Sequence, residues 1–322
     1  MSVTASPESH IAEAIFRTLL YADVFNFPMT EAEIHHFLIG AAATADEVRT
    51  TLAHSAWLAA NITRVDGYCM LAGSAARVDL RQEREVATQA LWPVACRYGA
   101  LLAHLPFVRM VALTGALAMH NAAGSQDDID YLLITTAGRV WTARLLAVGM
   151  VRLAAVVNVK LCPNYVLSEA ALLQDRQDMF LAHELAQMIP LTGLPIYKAM
   201  RAVNTWADPM LPNAREPFYA EPDSTPHGIG RWLQWVGESL LSGPLGDAFE
   251  RWEQRRKLRK FEAQLHQVGS SAQLGRDRVK GHFNDYGTPA LYKYWQRLER
   301  YNLADDPNAS QLVQEGASSD KA

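Results

Sequence analysis

Phe107-Val108-Arg109-Met110-Val111-Ala112-Leu113-Thr114-Gly115-Ala116 and Asp127-Asp128-Ile129-Asp130-Tyr131-Leu132-Leu133-Ile134 are two apolar runs joined by a glycine turn and a polar loop. The first run is rich enough in β-branched and apolar residues to read as a buried strand. Thr114-Gly115-Ala116 ends it, and Leu117-Ala118-Met119-His120 reads as a helix start. Asn121 to Gln126 form a small polar loop containing Gly124, and the second run reads as another strand. Side chains two apart on a strand point the same way, so Asp128 and Asp130 are expected on one face. Two carboxylates so placed suit Mg²⁺, or Mn²⁺, which is commonly held by one or two carboxylates together with substrate phosphates. A helix beginning at Gly115 would aim free N–H groups at those phosphates, and glycine allows close backbone approach.

With Leu113-Thr114-Gly115-Ala116 followed by Asp128-Ile129-Asp130, the chain resembles the nucleotidyltransferase superfamily. That superfamily is typified by DNA polymerase beta, kanamycin nucleotidyltransferase and the CCA-adding enzymes. Residues 106–213 look most like nucleotidyltransferase-domain proteins of undefined specificity, a likeness shared by Asn164-Tyr165-Val166-Leu167-Ser168 and His183-Glu184-Leu185. The resemblance implies metal-dependent transfer of a nucleoside monophosphate from a nucleoside triphosphate, with release of pyrophosphate. Asp128 and Asp130 would be the catalytic metal ligands, and Thr114, Gly115 and Ala116 would meet the phosphates. It also implies two metals and a further carboxylate that activates the acceptor hydroxyl.

The chain departs from that pattern twice. Ala116 stands where the turn usually carries a serine. The third carboxylate belongs on a later strand, for which Val156-Val157-Asn158-Val159-Lys160-Leu161-Cys162 is the expected segment, and it holds no acid. Asn158, Lys160 and Cys162 would share one face there, with Lys160 placing its charge against phosphate. Glu169, Asp175, Asp178 and Glu184 are the downstream acids that only the fold can place. A catalytically degenerate nucleotide sensor or adaptor is the alternative function. The plain structural account of Asp127 to Asp130 is a solvated strand start, although three acids entering an apolar strand are costly without a cation.

Before this core, apolar Ile11, Ile15, Leu19 and Leu20 have helical spacing, and Asn26-Phe27-Pro28 stops the helix. Thr30 with Glu33, and Thr44 with Glu47, read as capping boxes opening two more helices. Ile62 to Val65, the turn Asp66-Gly67, and Tyr68 to Leu71 read as a hairpin. Three helices and a hairpin give a winged-helix-like module over residues 10–75. Between His10 and Gly73 there are three basic residues (Arg17, Arg49, Arg64) and seven acidic ones. That balance argues against DNA binding and for a scaffold, dimerisation or substrate-presenting module. Arg77, Arg81 and Arg84 then fall near one face of a long helix, expected to be solvated, with triphosphate contact as the alternative.

Downstream, Val140 to Ala155 reads as a buried connecting helix. Arg144 and Arg152 interrupt this most apolar part of the chain, against a membrane span. Leu172 to Ile189 reads as a helix in which His183 is a packing residue. Four prolines between 212 and 230 mark a linker. Helices are expected over 232–241 and 245–267, the second carrying a basic run, Arg255-Arg256-Lys257 with Arg259 and Lys260. That run reads as a solvated face. With Arg276, Arg278 and Lys280 it is also the chain's best anion patch, near Tyr292, Tyr294 and Trp295, so an RNA or sugar-phosphate acceptor is open.

The expected organisation is α+β: the module (10–75), a core with a mixed sheet flanked by helices (76–213), a linker (214–230), a helical C-terminal region (231–302) and a disordered tail (303–322). At 322 residues, 49% hydrophobic and 20% charged, the composition is that of an ordinary globular protein. A net charge of −4 gives no global attraction to nucleic acid or anionic membrane, so any polyanion site must be a local patch. Three scattered cysteines and a polar start without positive charge fit a cytoplasmic protein with no membrane partner. The acceptor, whether small molecule, protein or RNA, is not written in the sequence. Walker A, G-x-G-x-x-G, G-x-S-x-G and H-E-x-x-H motifs do not occur.

Overall fold

The structure, a computed structural model, describes residues 9–265, 273–280 and 285–304. Of the tail expected from 303, everything beyond 304 lies outside the described residues. The fold is α+β.

Ser9 accepts from Ala12 N and starts α1 (His10–Val24), whose apolar side is buried. After β1 (Met29–Thr30), both capping boxes form. Thr30 opens α2 (Glu31–His36) and Thr44 opens α3 (Ala45–His54), each with its glutamate returning to the cap backbone. Trp57 and Leu58 lie on a short helix, α4 (Ala56–Asn61), that the sequence reading leaves unassigned. The hairpin β2 (Ile62–Val65) and β3 (Tyr68–Leu71) turns on Asp66 (φ 50) and Gly67 (φ 82). Positive φ at both central residues matches the twist of a two-residue hairpin turn. β1 adds to it, giving the order β1-β3-β2.

Next come α5 (Arg77–Ala103), β4 (Val108–Leu113), α6 (Gly115–Ala118), β5 (Ile129–Thr135), α7 (Val140–Val156), β6 (Leu161–Ser168), α8 (Met179–Gln187), β7 (Ile189–Thr192) and α9 (Leu194–Val203). A 3-10 turn at Thr205–Ala207 precedes α10 (Gly228–Leu240), α11 (Gly243–Leu265), β8 (Gln273–Leu274), β9 (Arg278–Lys280) and α12 (Gly287–Arg300). The main sheet has the order β7-β4-β5-β6-β9-β8. β5 and β6 run parallel, with α7 as their crossover, and the other pairs are antiparallel.

Three expectations change. The helix expected from Leu172 to Ile189 shortens to α8, and Ile189 opens β7. The third strand begins at Leu161, not Val156, because α7 continues to Val156 and the chain then turns through Asn158 at φ 60. The β-branched valines 156 and 157 that suggest a strand are exposed at that helix end. The C-terminal region contains β8 and β9 as well as helices. Only Val279, fully buried between Arg278 and Lys280, marks β9, too short a signal for periodicity to register. Among the described residues no helix is long and apolar enough to cross a membrane.

Alternation divides the sheet into two faces. Val108, Val111, Leu113, Tyr131, Leu133 and Val166 pack under α5 and α7. Met110, Ala112, Leu132, Ile134 and Leu167 share one core with residues of α1 to α4, α8, α9 and α12. Residues 214–230 are pinned to this body. Ser224 N donates to Leu191 O (2.8 Å), Trp92 Nε1 donates to Glu221 (2.6 Å), and the Tyr219 ring stacks on His120 at 3.8 Å.

The arginines at the head of α5 are not a solvated face. Arg81 is 2% exposed, donates to Glu33 (2.8 Å) and Glu85 (2.6 Å), and lies 3.9 Å over the Phe27 ring. Arg77 pairs with Asp23, and Arg84 donates to Asn121 (3.0 Å). Glu33 is itself 1% exposed, so removing its partner strands a buried carboxylate. We expect Arg81→Met to cost about 3–5 kcal/mol in chemical denaturation. Adding Glu33→Gln, which keeps the capping geometry, should recover part of that loss. Equal additive losses would contradict the coupling.

Candidate functional site

A cavity of about 800 Å³ lies where the β4–α6 turn and the start of β5 face the N-terminal segment. Thr114, Gly115, Ala116, Asp127, Asp128 and Asp130 line it together. The turn is fixed against β5 by Thr114 N donating to Asp130 O (3.1 Å). Gly115 has φ +68, and a Cβ there would fall 2.6 Å from Asp130 Oδ2. Glycine is required both by the left-handed backbone and by the carboxylate beside it. α6 is a single turn of four residues, so the N–H groups here act locally, without a long helix dipole behind them.

The three acids have different settings. Asp127 closes its own loop, accepting from Ala123 N (2.7 Å) and Asp128 N (3.0 Å). Asp128 precedes the strand and is exposed, with Lys160 Nζ 3.9 Å from its Oδ1. Asp130 is the second residue of β5, opposite Cys162 in the register. Its Oδ1 accepts from Asn164 Nδ2 (2.9 Å). Burial raises the Asp130 carboxyl to about 7. A hydrogen bond with the Cys162 thiol works against that rise, while the charges of Glu184, Asp128 and Asp127 add to it. Burial and the neighbouring Asp130 push the thiol up to about 12 in turn.

Among the downstream acids, Glu184 and Asp175 line the cavity. Asp175 is taken by Arg278, Asp178 caps α8 through Leu181 N (2.9 Å) and pairs with Arg176, and Glu169 accepts from Ala137 N (3.4 Å). Glu184, on α8, accepts no hydrogen bond from a described residue. Burial raises its carboxyl and the charge of Lys280 opposes the rise. Among the described residues, no three His, Cys, Asp or Glu side chains are grouped so as to hold a metal unaided. Two carboxylates still suit a magnesium ion delivered on a triphosphate, which brings most of its own oxygen ligands.

Lys160 sits ahead of β6, is 60% exposed, and is not among the cavity-lining residues. The cations that do line the cavity are Arg176, Arg278 and Lys280. The sequence groups Arg278 and Lys280 with the basic run of α11. The pairing of β9 with β6 instead carries them to the cavity, with Lys280 opposite Tyr165. Arg276 lines a second cavity of about 580 Å³ with Arg139, Arg251, Asp247 and Glu250. No local signal foretells that separation, because it depends on the long-range pairing of a three-residue strand.

The far wall of the main cavity is apolar and comes largely from the N-terminal segment: Tyr21, Phe25, Phe27, Met29 and Phe37, with Met119. His183 is a packing residue here. It stacks on Tyr21 at 3.8 Å, its Nδ1 lies 2.9 Å from Met179 O, and burial lowers its pKa to about 4. Comparison of the chain with protein-family models, curated proteins and solved structures found no match.

Two predictions follow from the Gly115–Asp130 contact. Gly115→Ala should destabilise by at least about 1–2 kcal/mol through strain and clash. In an Asp130→Ala background the same change should cost less, and full additivity would contradict the contact. A raised carboxyl binds its proton more tightly when folded, so Asp130 removes stability as pH rises from about 4 through 7 and contributes no such loss below that window. Asp130→Asn should therefore raise the thermal midpoint at about pH 8 and lose that advantage at about pH 4. A midpoint lowered equally at both would contradict the assignment.

Proposed function

We propose that the protein binds a magnesium–nucleoside triphosphate in the main cavity and transfers its nucleoside monophosphate to an acceptor hydroxyl. The carrying observation is the convergence of the Thr114-Gly115-Ala116 turn with Asp128 and Asp130 on one cavity. In this reading Asp128 and Asp130 hold the metal, and the exposed turn N–H groups approach the phosphates at Gly115. The bound metal would neutralise charge on the triphosphate and on the leaving pyrophosphate. Ionised Asp130, costly in the empty cavity, gains a counter-charge on binding, so its carboxyl falls from about 7. Glu184 is the remaining cavity-lining carboxylate without a hydrogen-bonding partner among the described residues, and it suits deprotonation of the acceptor. Arg176, Arg278 and Lys280 would face the anionic product side. Residues 10–75, in winged-helix-like order, would serve as the apolar wall against base or acceptor, not as a DNA reader.

A second reading, a nucleotide sensor without transfer activity, is favoured by Ala116 in the turn and by the absence of a three-residue metal group among the described residues.

Thermal unfolding with each nucleoside triphosphate, with and without Mg²⁺, tests the site before the acceptor is known. A ligand at a hundred times its Kd stabilises by about 2.7 kcal/mol. The shift should require Mg²⁺ and disappear in Asp128→Asn and Asp130→Asn. No shift with any triphosphate would overturn both readings. Glu184→Gln separates them. Transfer requires that it keep the shift and lose pyrophosphate release, whereas a sensor releases none in either form.

A further inference from the structure

Helix α10 is built inside out. Its inward arc is Gly230, Gln234, Gly237 and Glu238. Gln234 Nε2 donates to the carbonyls of Ala103, Leu105 and Val108 at 3.0–3.1 Å. Glu238 accepts from Phe107 N (3.0 Å) and from Arg109 (2.7 Å). A Cβ at Gly230 or Gly237 would meet His104 at 2.4 Å or Pro106 at 2.6 Å, so the helix lies close on the body through its small and polar side. The opposite arc carries Ile229, Trp232, Leu233, Trp235 and Leu240, each 57–79% exposed. A surface helix ordinarily turns its apolar stripe to the core. Here the core side is occupied by a polar anchor, and the apolar stripe faces outward.

Charge on α10 and α11 is sorted the same way. Each of their described acids has a hydrogen-bonding or ion-pair partner. Glu238 is bonded as above, Asp247 pairs with Arg139 (2.6 Å), Glu250 accepts from Trp141 N and Thr142 N (both 2.8 Å), and Glu253 is buried beside Arg256 (2.6 Å). Arg231, Arg251, Arg255, Arg259 and Lys260 are exposed and have no acidic partner among the described residues. On α11, Leu245 and Trp252 are likewise exposed, at 84% and 52%.

We propose that the α10–α11 face docks the protein on an anionic lipid surface. Tryptophan and leucine would enter the boundary between headgroups and acyl chains, while arginine and lysine meet lipid phosphates. Charge complementarity selects this occupant over a second copy, because a two-fold contact through this face would set its exposed cations against themselves. It is also the local patch that an overall charge of −4 leaves room for. Such docking is peripheral and needs no spanning helix.

The test is flotation of the full chain with phosphatidylcholine vesicles, with and without phosphatidylglycerol, at low and high salt. Binding is expected to require the anionic lipid, to fall with salt, and to bring tryptophan quenching by brominated acyl chains. Trp232→Ser/Trp235→Ser should weaken it at least about tenfold and abolish much of the quenching. Arg255→Glu/Arg259→Glu should weaken it at least about tenfold with the thermal midpoint unchanged. No flotation with anionic vesicles at low salt would overturn the proposal, as would flotation indifferent to both variants. A concentration-dependent dimer that Trp232→Ser dissociates, without vesicle binding, would overturn it in favour of a second copy.

Discussion

A buried charge pair joins the parts of this protein on which the rest depends. Glu33 caps its own helix through Thr30, accepts from Arg81 on α5, and accepts from Tyr219 OH (3.3 Å) in the segment between α9 and α10. Its carboxylate therefore ties together the N-terminal helices, the long helix leading into β4, and the returning loop. A buried pair of this kind contributes little net stability against an apolar replacement. What it specifies is position, since the carboxylate and guanidinium tolerate few other arrangements. Phe27, under the guanidinium, is part of the cavity wall, so the same pair braces that wall.

The second constraint is local. Asp130 is the one charged residue of β5, held between Asn164 and Cys162 on one side and the Gly115 turn on the other. Burial that raises its carboxyl to about 7 makes an empty, ionised site unfavourable near neutrality. An arrangement costly alone and relieved by a cation is what a binding site for a metal-carried anion requires. The body thus has two outward-looking features of different chemistry: an acidic cavity with basic edges, and two successive helices with exposed tryptophans and cations.

Much of this was legible in the residues. Both capping boxes, the Asp66-Gly67 hairpin and the strand–turn–strand around Gly115 rest on short-range chemistry, and the chain forms them where that chemistry is. The failures share a cause. Val156 and Val157 are β-branched, yet they end α7 with their side chains exposed, so β-branching alone misplaces the strand. Arg81 reads as solvated because its buried partner lies 48 residues away in the chain. Lys280 reaches the cavity through a three-residue strand, and Glu184 through the placement of α8. The inside-out polarity of α10 is invisible until the body beneath it is known, since its sequence alone shows an ordinary amphipathic helix.

The claim at the centre is that Asp128 and Asp130 share a metal with a nucleotide. Anomalous diffraction from a crystal grown with Mn²⁺ and a non-hydrolysable triphosphate tests it most directly. A peak between those two carboxylates, with the triphosphate against the Gly115 turn, is the predicted result. A cavity without metal or nucleotide, or a triphosphate lodged instead among Arg139, Arg251 and Arg276, would contradict the account.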